Sequence, residues 1–321
     1  MVSKSTASFV KLRKISRDEK PSLVVKSGET IDLELPDFSG GLITRNCKAA
    51  DLKVYDFAEG YALAGPIQVD GAEKNDILEI EFLEFEHHGW GYTAIFSEPG
   101  LEHNLAYYPE ERFEPYIIFW EVKDGFAIWD KYHIRVPINP FLGAVGTAPL
   151  MNGTFNPLPP RECGGNIDVK HLTAGTKLYL PVNVEGAHLF VGDCHLAMGD
   201  GEVLSSAIEA PLRAKFRVTA RKDLHYVEPP MFVAKKPKIY EIHDAGYIGF
   251  MGIARTVDEA TDIAIHKAMT YLCRKLGMTP AEAAILLGVV LDLTINEIPD
   301  IPNKVVSGII PLSIFEKTEF P

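Results

Sequence analysis

The chain has 321 residues, 46% of them hydrophobic and 24% charged, which is enough for one large core or two fused domains. Its 32 lysines and arginines stand against 44 aspartates and glutamates, and the net charge of -12 repels phosphate backbones and anionic membrane surfaces, so neither a nucleic acid nor a membrane is expected as a partner. The four cysteines, Cys47, Cys163, Cys194 and Cys273, fit neither a disulfide framework nor a C-x-x-C metal knuckle. With no apolar leader at the start and no long uncharged apolar run, a reducing, cytoplasmic setting is expected.

In chain order, the basic residues Lys11, Arg13, Lys14 and Arg17 are followed at once by Asp18 and Glu19 and read as a solvated face. A turn-then-strand pattern recurs at 26–33, 73–80 and 173–180, each copy opening on a polar turn and continuing with alternating apolar positions. In the second copy Leu78, Ile80 and Phe82 fall on one face, and Glu79 and Glu81 are expected on the solvent side. The pair His87-His88 before Gly89 reads as an exposed hairpin loop, the polar stretch 98–112 as a surface excursion, and 116–120 as a core strand. A boundary near 137 divides an N-terminal β-rich domain, 1–137, from a C-terminal α+β domain, 138–321.

Helical signals are confined to the end of the chain. Thr256 and Glu259 form a capping box ahead of Ile263, Met269, Leu272 and Leu276, and Gly277 stops that helix. A second box, Thr279 with Pro280 and Glu282, opens the apolar run 283–291 and completes an antiparallel helix pair. The prolines at 299 and 302 break the pattern, and Val305, Val306, Ile309 and Ile310 read as a returning strand. The expected fold class is α+β, with β-rich sandwich or barrel layers and a helical pair near the C-terminus.

Chemistry concentrates at 191–203, where Asp193, His195, Asp200 and Glu202 lie in one short stretch flanked by strand-like sequence. Residues two apart on a strand share a face, so Asp193 and His195 converge, and Asp200 and Glu202 do likewise across the turn. Gly199 and Gly201 let the backbone approach closely. Such a mixed nitrogen and oxygen set suits zinc, or a harder ion such as calcium beside it; the competing reading is an ordinary Asp-Gly hairpin with a hydrogen-bonded histidine. Gly164-Gly165-Asn166 offers backbone N–H groups and an amide that can hold a carbonyl oxygen, or is simply a tight turn before Ile167. Asp168 either orients His195 or lies on the surface, and Asp292, inside an apolar run, needs a partner.

The pattern Asp193-x-His195-x-x-x-Gly199-Asp200-Gly201-Glu202 resembles the signature of the acetamidase/formamidase family. Other blocks agree in order: Gly65-Pro66-Ile67, Trp90-Gly91-Tyr92, Pro140-Phe141-Leu142-Gly143, the Gly-Gly-Asn segment, Thr256-Val257-Asp258-Glu259 and Leu291-Asp292-Leu293. The resemblance spans 23–312. It implies metal-dependent hydrolysis of small linear carboxamides to carboxylate and ammonia, a catalytic divalent ion, usually zinc, and a homo-oligomer. On this reading Asp193, His195 and Asp200 are the metal ligands, Glu202 shuttles protons, Asn166 assists catalysis, and Gly165, Asp168, Cys163, Met198 and Asp292 line or brace the pocket. The sequence departs from the family pattern at Tyr61, Cys163 and Met198. Those departures motivate an alternative, a non-catalytic metal-binding β-sandwich that binds small molecules. A cysteine-dependent amidase using Cys163 or Cys194 is a third reading.

Overall fold

The computed structural model describes residues 2–4, 11–54, 62–96, 114–224, 227–234, 246–298 and 302–317; Tyr61 and the 98–112 stretch lie outside them. Alternating apolar residues generate the strands. A six-stranded sheet runs in the order Val2–Lys4, Thr30–Leu35, Leu212–Arg221, Ile77–His87, Thr176–Pro181, Met231–Ala234. The three turn-then-strand copies all contribute to this sheet, and each turn holds a left-handed residue, Gly28, Asn75 or Gly175. Leu78, Ile80 and Phe82 face the core as the alternation requires. Glu79, expected in solvent, is buried instead, because Lys177 and Arg221 from the flanking strands neutralise its carboxylate.

A second sheet orders Gly164–Asn166, Phe141–Gly146, Leu189–His195, Leu63–Asp70 and Lys11–Leu12, with Leu23–Lys26 parallel to Leu63–Asp70. Both six-stranded assemblies draw strands from each side of residue 137, and one apolar core runs from Ile31 and Leu33 through Leu142 and Val191 to Leu286 and Ile310. The expected boundary at 137/138 therefore separates neither sheets nor cores. His87 and His88 are exposed, with His88 Nε2 3.1 Å from Glu34 Oε2, but they link Ile77–His87 to a four-stranded sheet rather than closing a hairpin. That sheet orders Ile134–Pro137, Phe126–Trp129, Tyr116–Lys123 and Trp90–Ile95.

The helices follow the capping signals. Helix α1, Val257–Leu276, starts at Thr256 with both capping-box bonds formed and ends at left-handed Gly277, and it packs on a three-stranded sheet of Tyr247–Ala254, Lys304–Pro311 and Asp292–Glu297. Helix α2, Pro280–Val290, is buried from Glu282 to Val290, which its lack of any polar stripe permits. Among the described residues no helix is long and apolar enough to cross a membrane.

Glu282 anchors this inner helix. Its carboxylate accepts from Thr279 N–H at 3.0 Å, Tyr132 Oη at 2.7 Å, Tyr116 Oη at 3.2 Å and the Lys131 ammonium. Burial opposes the charge, but these donors outweigh it and hold the pKa at about 2. A depressed carboxylate pKa contributes stability above the unfolded value, 4.5, and loses it as pH falls towards 2. Glu282→Gln is expected to cost about 2 kcal/mol at neutral pH. In parallel denaturant titrations the gap between wild type and variant should close as pH falls from 4.5 to 2.

Candidate active site

The site grows from two neighbouring strands. Phe141 pairs with His195, Leu142 with Cys194 and Ala144 with Gly192, which sets Gly143 beside Asp193. The Gly143 carbonyl accepts the N–H groups of Ile167 at 3.0 Å and Asp168 at 3.1 Å, and so delivers Asp168 to the same place. Beyond His195 the chain leaves the sheet and returns, closed by Leu196 N–H to Ile208 O at 2.8 Å and Ala210 N–H to Cys194 O at 2.9 Å. The return puts Glu209 against His195, and Tyr92 braces it through backbone bonds of 2.8 and 2.9 Å. Glu202 sits near the tip of this excursion, its N–H bonded to Gly199 O at 3.0 Å.

These elements bring one imidazole and four carboxylates together. His195 Nε2 lies 3.3 Å from Asp193 Oδ1 and 3.2 Å from Glu209 Oε2. Ligand atoms of Asp168, Asp193 and His195 all fall within 4.8 Å of one another, as do those of His195, Glu202 and Glu209. The Phe141 ring stands edge-on to the imidazole at 5.0 Å. Asp168, Asp193 and Glu202 have φ of 45°, 55° and 39°, a left-handed backbone that costs side-chain-bearing residues about 1–3 kcal/mol each and clusters at functional sites.

Charge in the cluster is unbalanced. Burial, then the neighbouring carboxylates, pushes Asp168 and Glu202 well above the usual carboxylate range, and burial raises Glu209 despite His195. Burial disfavours the imidazolium, yet Glu209 and Asp193 overcome it and hold His195 well above an ordinary histidine. Asp37 is also buried, its pKa raised by that burial and by Asp193. Asp168 Oδ1, Asn166 Oδ1 and His195 Nδ1 are buried without a hydrogen-bond partner. A Cβ at Gly143 would collide with Asp168 Oδ1 and lie 2.6 Å from Asp193 Oδ2, so glycine keeps a cradle open there. Acid in excess, orphaned polar atoms and a cradle of this kind fit a divalent cation.

The remaining sequence candidates fall elsewhere. Asp200 is not part of either grouping: its carboxylate is 3.2 Å from Lys170 Nζ and partly exposed, because the turn at Gly199 and Gly201 sends it away from Glu202. Asp292 takes the Lys170 ammonium and the Asp200 N–H. Asn166 ends the strand just before Asp168, Gly165 has open space where a side chain would stand, and Met198 packs on Phe141. Cys163 and Cys194 are fully buried, and burial pushes the Cys163 thiol up to about 11 and Cys194 well above its usual value, which does not suit a nucleophile. Sequence reading missed Glu209 and Asp37. Glu209 left a signal, an acid alone among Ala207, Ile208 and Ala210; Asp37, in the run Pro36-Asp37-Phe38-Ser39-Gly40, looks like an ordinary turn residue.

The sequence model of the Acetamidase/Formamidase family matches residues 14–154 and 152–317. The chain belongs to that family. It is 28% identical to the formamidase of Methylophilus methylotrophus, over 91% of this chain and 86% of the relative. It is 29% identical to the acetamidase of Mycolicibacterium smegmatis over 58% and 59%. Among solved structures, the Bacillus halodurans acetamidase superposes with a TM-score of 0.62 at 27% identity, covering 97% and 98% of the two chains. A Delftia acidovorans gamma lactamase shares the fold at TM-score 0.83 and 24% identity, covering 96% and 91%.

Two outcomes test the site. Gly143→Ala should leave a folded protein by circular dichroism, and whatever divalent cation the wild type takes up in chelator competition should bind the variant at least about tenfold more weakly, since the added methyl occupies the cradle. Native protein should resist alkylation at Cys163 and Cys194, with both labelled after denaturation, as mass spectrometry would record.

Proposed function

We propose that this chain hydrolyses small linear carboxamides to carboxylate and ammonia at the His195 cluster, with a divalent cation, most simply zinc, held by Asp168, Asp193 and His195. The observation that carries the reading is the buried excess of carboxylate around one imidazole, in a member of a family whose relatives are named formamidase and acetamidase. Glu209 completes the set on the other side of His195 and offers, with Glu202, room for a second, harder ion such as calcium. When bound, the cation supplies Lewis acidity, drawing electron density from an amide carbonyl and making water a stronger acid.

The chain's own groups supply the rest. Glu202, near the tip of the excursion and grouped with His195 and Glu209, takes a proton from the attacking water on its carboxylate and hands it to the departing nitrogen, because ammonia leaves an sp3 carbon only when protonated. Asn166, whose side-chain oxygen is buried without a partner, offers its amide N–H to the carbonyl oxygen, and Gly165 beside it leaves room for the substrate. Phe141 and Met198 wall the site and limit the water beside it. We place the protein in the cytoplasm, where four free thiols are chemically at ease, and propose that it assembles as a homo-oligomer.

Ammonia release from formamide, acetamide, propionamide and a lactam tests the reading, with zinc-loaded and chelated protein side by side. Release by the loaded protein alone is expected, and no release from any substrate would favour a non-catalytic binder. Glu202→Gln should lower kcat roughly 10²–10⁴-fold with little change in KM; full turnover would move the shuttle elsewhere.

A further inference from the structure

The four carboxylates around His195 are not equally supported. Asp193 belongs to a strand, and Glu209 is tied by backbone bonds to Tyr92. Asp168 and Glu202 come from irregular segments, both on left-handed backbone, and each belongs to a different grouping with His195. Lys170 stands two residues after Asp168, and Asp200 two residues before Glu202. The Lys170 ammonium donates to Asp292 Oδ1 and lies 3.2 Å from Asp200 Oδ2. The same Asp292 oxygen accepts the Asp200 N–H at 3.0 Å, and Leu293 N–H donates to Asp200 O at 3.1 Å. The Lys170 side chain is only 8% exposed and that of Asp292 17%. Gly199, which opens the Glu202 turn, packs directly on the Leu291 backbone, and its N–H reaches Gly288 O at 3.1 Å. Both turns are therefore fastened to the end of α2.

We propose that Lys170 and Asp292 form a positioning clamp that fixes Asp168 relative to Glu202 and so sets the cation affinity of the site. The proposal rests on reading that site as cation-binding. Neither clamp residue belongs to the groupings around His195; they act by holding the two turns that carry the acids. The sign of the Lys170 effect separates this from simple electrostatics. A positive charge near a cation site weakens binding, so its removal by Coulomb's law alone would tighten the cation. A positioning role predicts the opposite, because displaced ligands lose affinity faster than one distant charge can restore it.

The test is zinc affinity of the full chain by competition with a chromophoric chelator, below the melting temperature of every variant. Lys170→Met is expected to weaken zinc roughly 10–100-fold and to lower kcat more than it changes KM. Unchanged or tighter zinc binding by folded Lys170→Met would overturn the clamp, including when its melting temperature falls, since a merely structural bridge would do only that. If Lys170→Met does not fold, Lys170→Arg decides: charge is kept and geometry altered, so several-fold weaker binding supports the clamp and wild-type affinity refutes it. The measurement needs no substrate. Wild type that binds zinc but releases no ammonia defeats the amidase reading and leaves the clamp standing, whereas wild type that binds no zinc defeats the site and the clamp together.

Discussion

One imidazole shut in with carboxylates that outnumber it is the condition to which the surrounding structure answers. Carboxylates removed from water repel one another and lose hydration, so such a group persists only where the scaffold leaves it no room to spread. Here the scaffold acts at several points: a strand pair that sets Asp193 and His195, a glycine carbonyl that collects two N–H groups to turn Asp168 inward, and a closed excursion that returns Glu209 to the imidazole. Strained backbone at three of the acids is the local cost of that convergence. The core around it, including a helix buried along nearly its whole length, provides the rigidity that keeps the acids from relaxing outward.

Much of this was legible before any coordinates. Capping boxes at Thr256 and Thr279 marked both helices because the signal is local: a side-chain oxygen, a carboxylate three residues on, an apolar run. Period-two alternation marked the strands, and the proximity of Asp193, His195 and Glu202 was legible because two of them share a strand and the third sits just past the turn. Asp200 shows the limit of that logic. Spacing places it with Glu202, but positive φ at Gly201 and again at Glu202 bends the chain between the two acids, and the Asp200 side chain lies towards Lys170. Glu209 and Asp37 reach the imidazole's surroundings through tertiary folding alone, by a return limb and by a buried turn, and spacing does not encode either.

The same contrast separates the fold from its division into parts. The sequence reading places a break near 137, but strand pairing runs across it, and Leu189–His195 lies between Phe141–Gly146 and Leu63–Asp70. Glu79 repeats the point on a smaller scale. Alternation puts it outside, and two cations from other strands make its burial tolerable.

Interleaving also governs how the molecule comes into being. The strand Ile77–His87 has Leu212–Arg221 on one side and Thr176–Pro181 on the other, so its edges stay bare until more than half the chain has left the ribosome. Contacts of such long sequence separation fold slowly, and a nascent chain holding apolar unpaired edges is exposed to aggregation meanwhile. The two stretches matched by the family model, which meet near residue 152, are thus not units that could be synthesised and matured apart. Fragments cut there would each carry half-built sheets, and recombining them would require both to be present during folding.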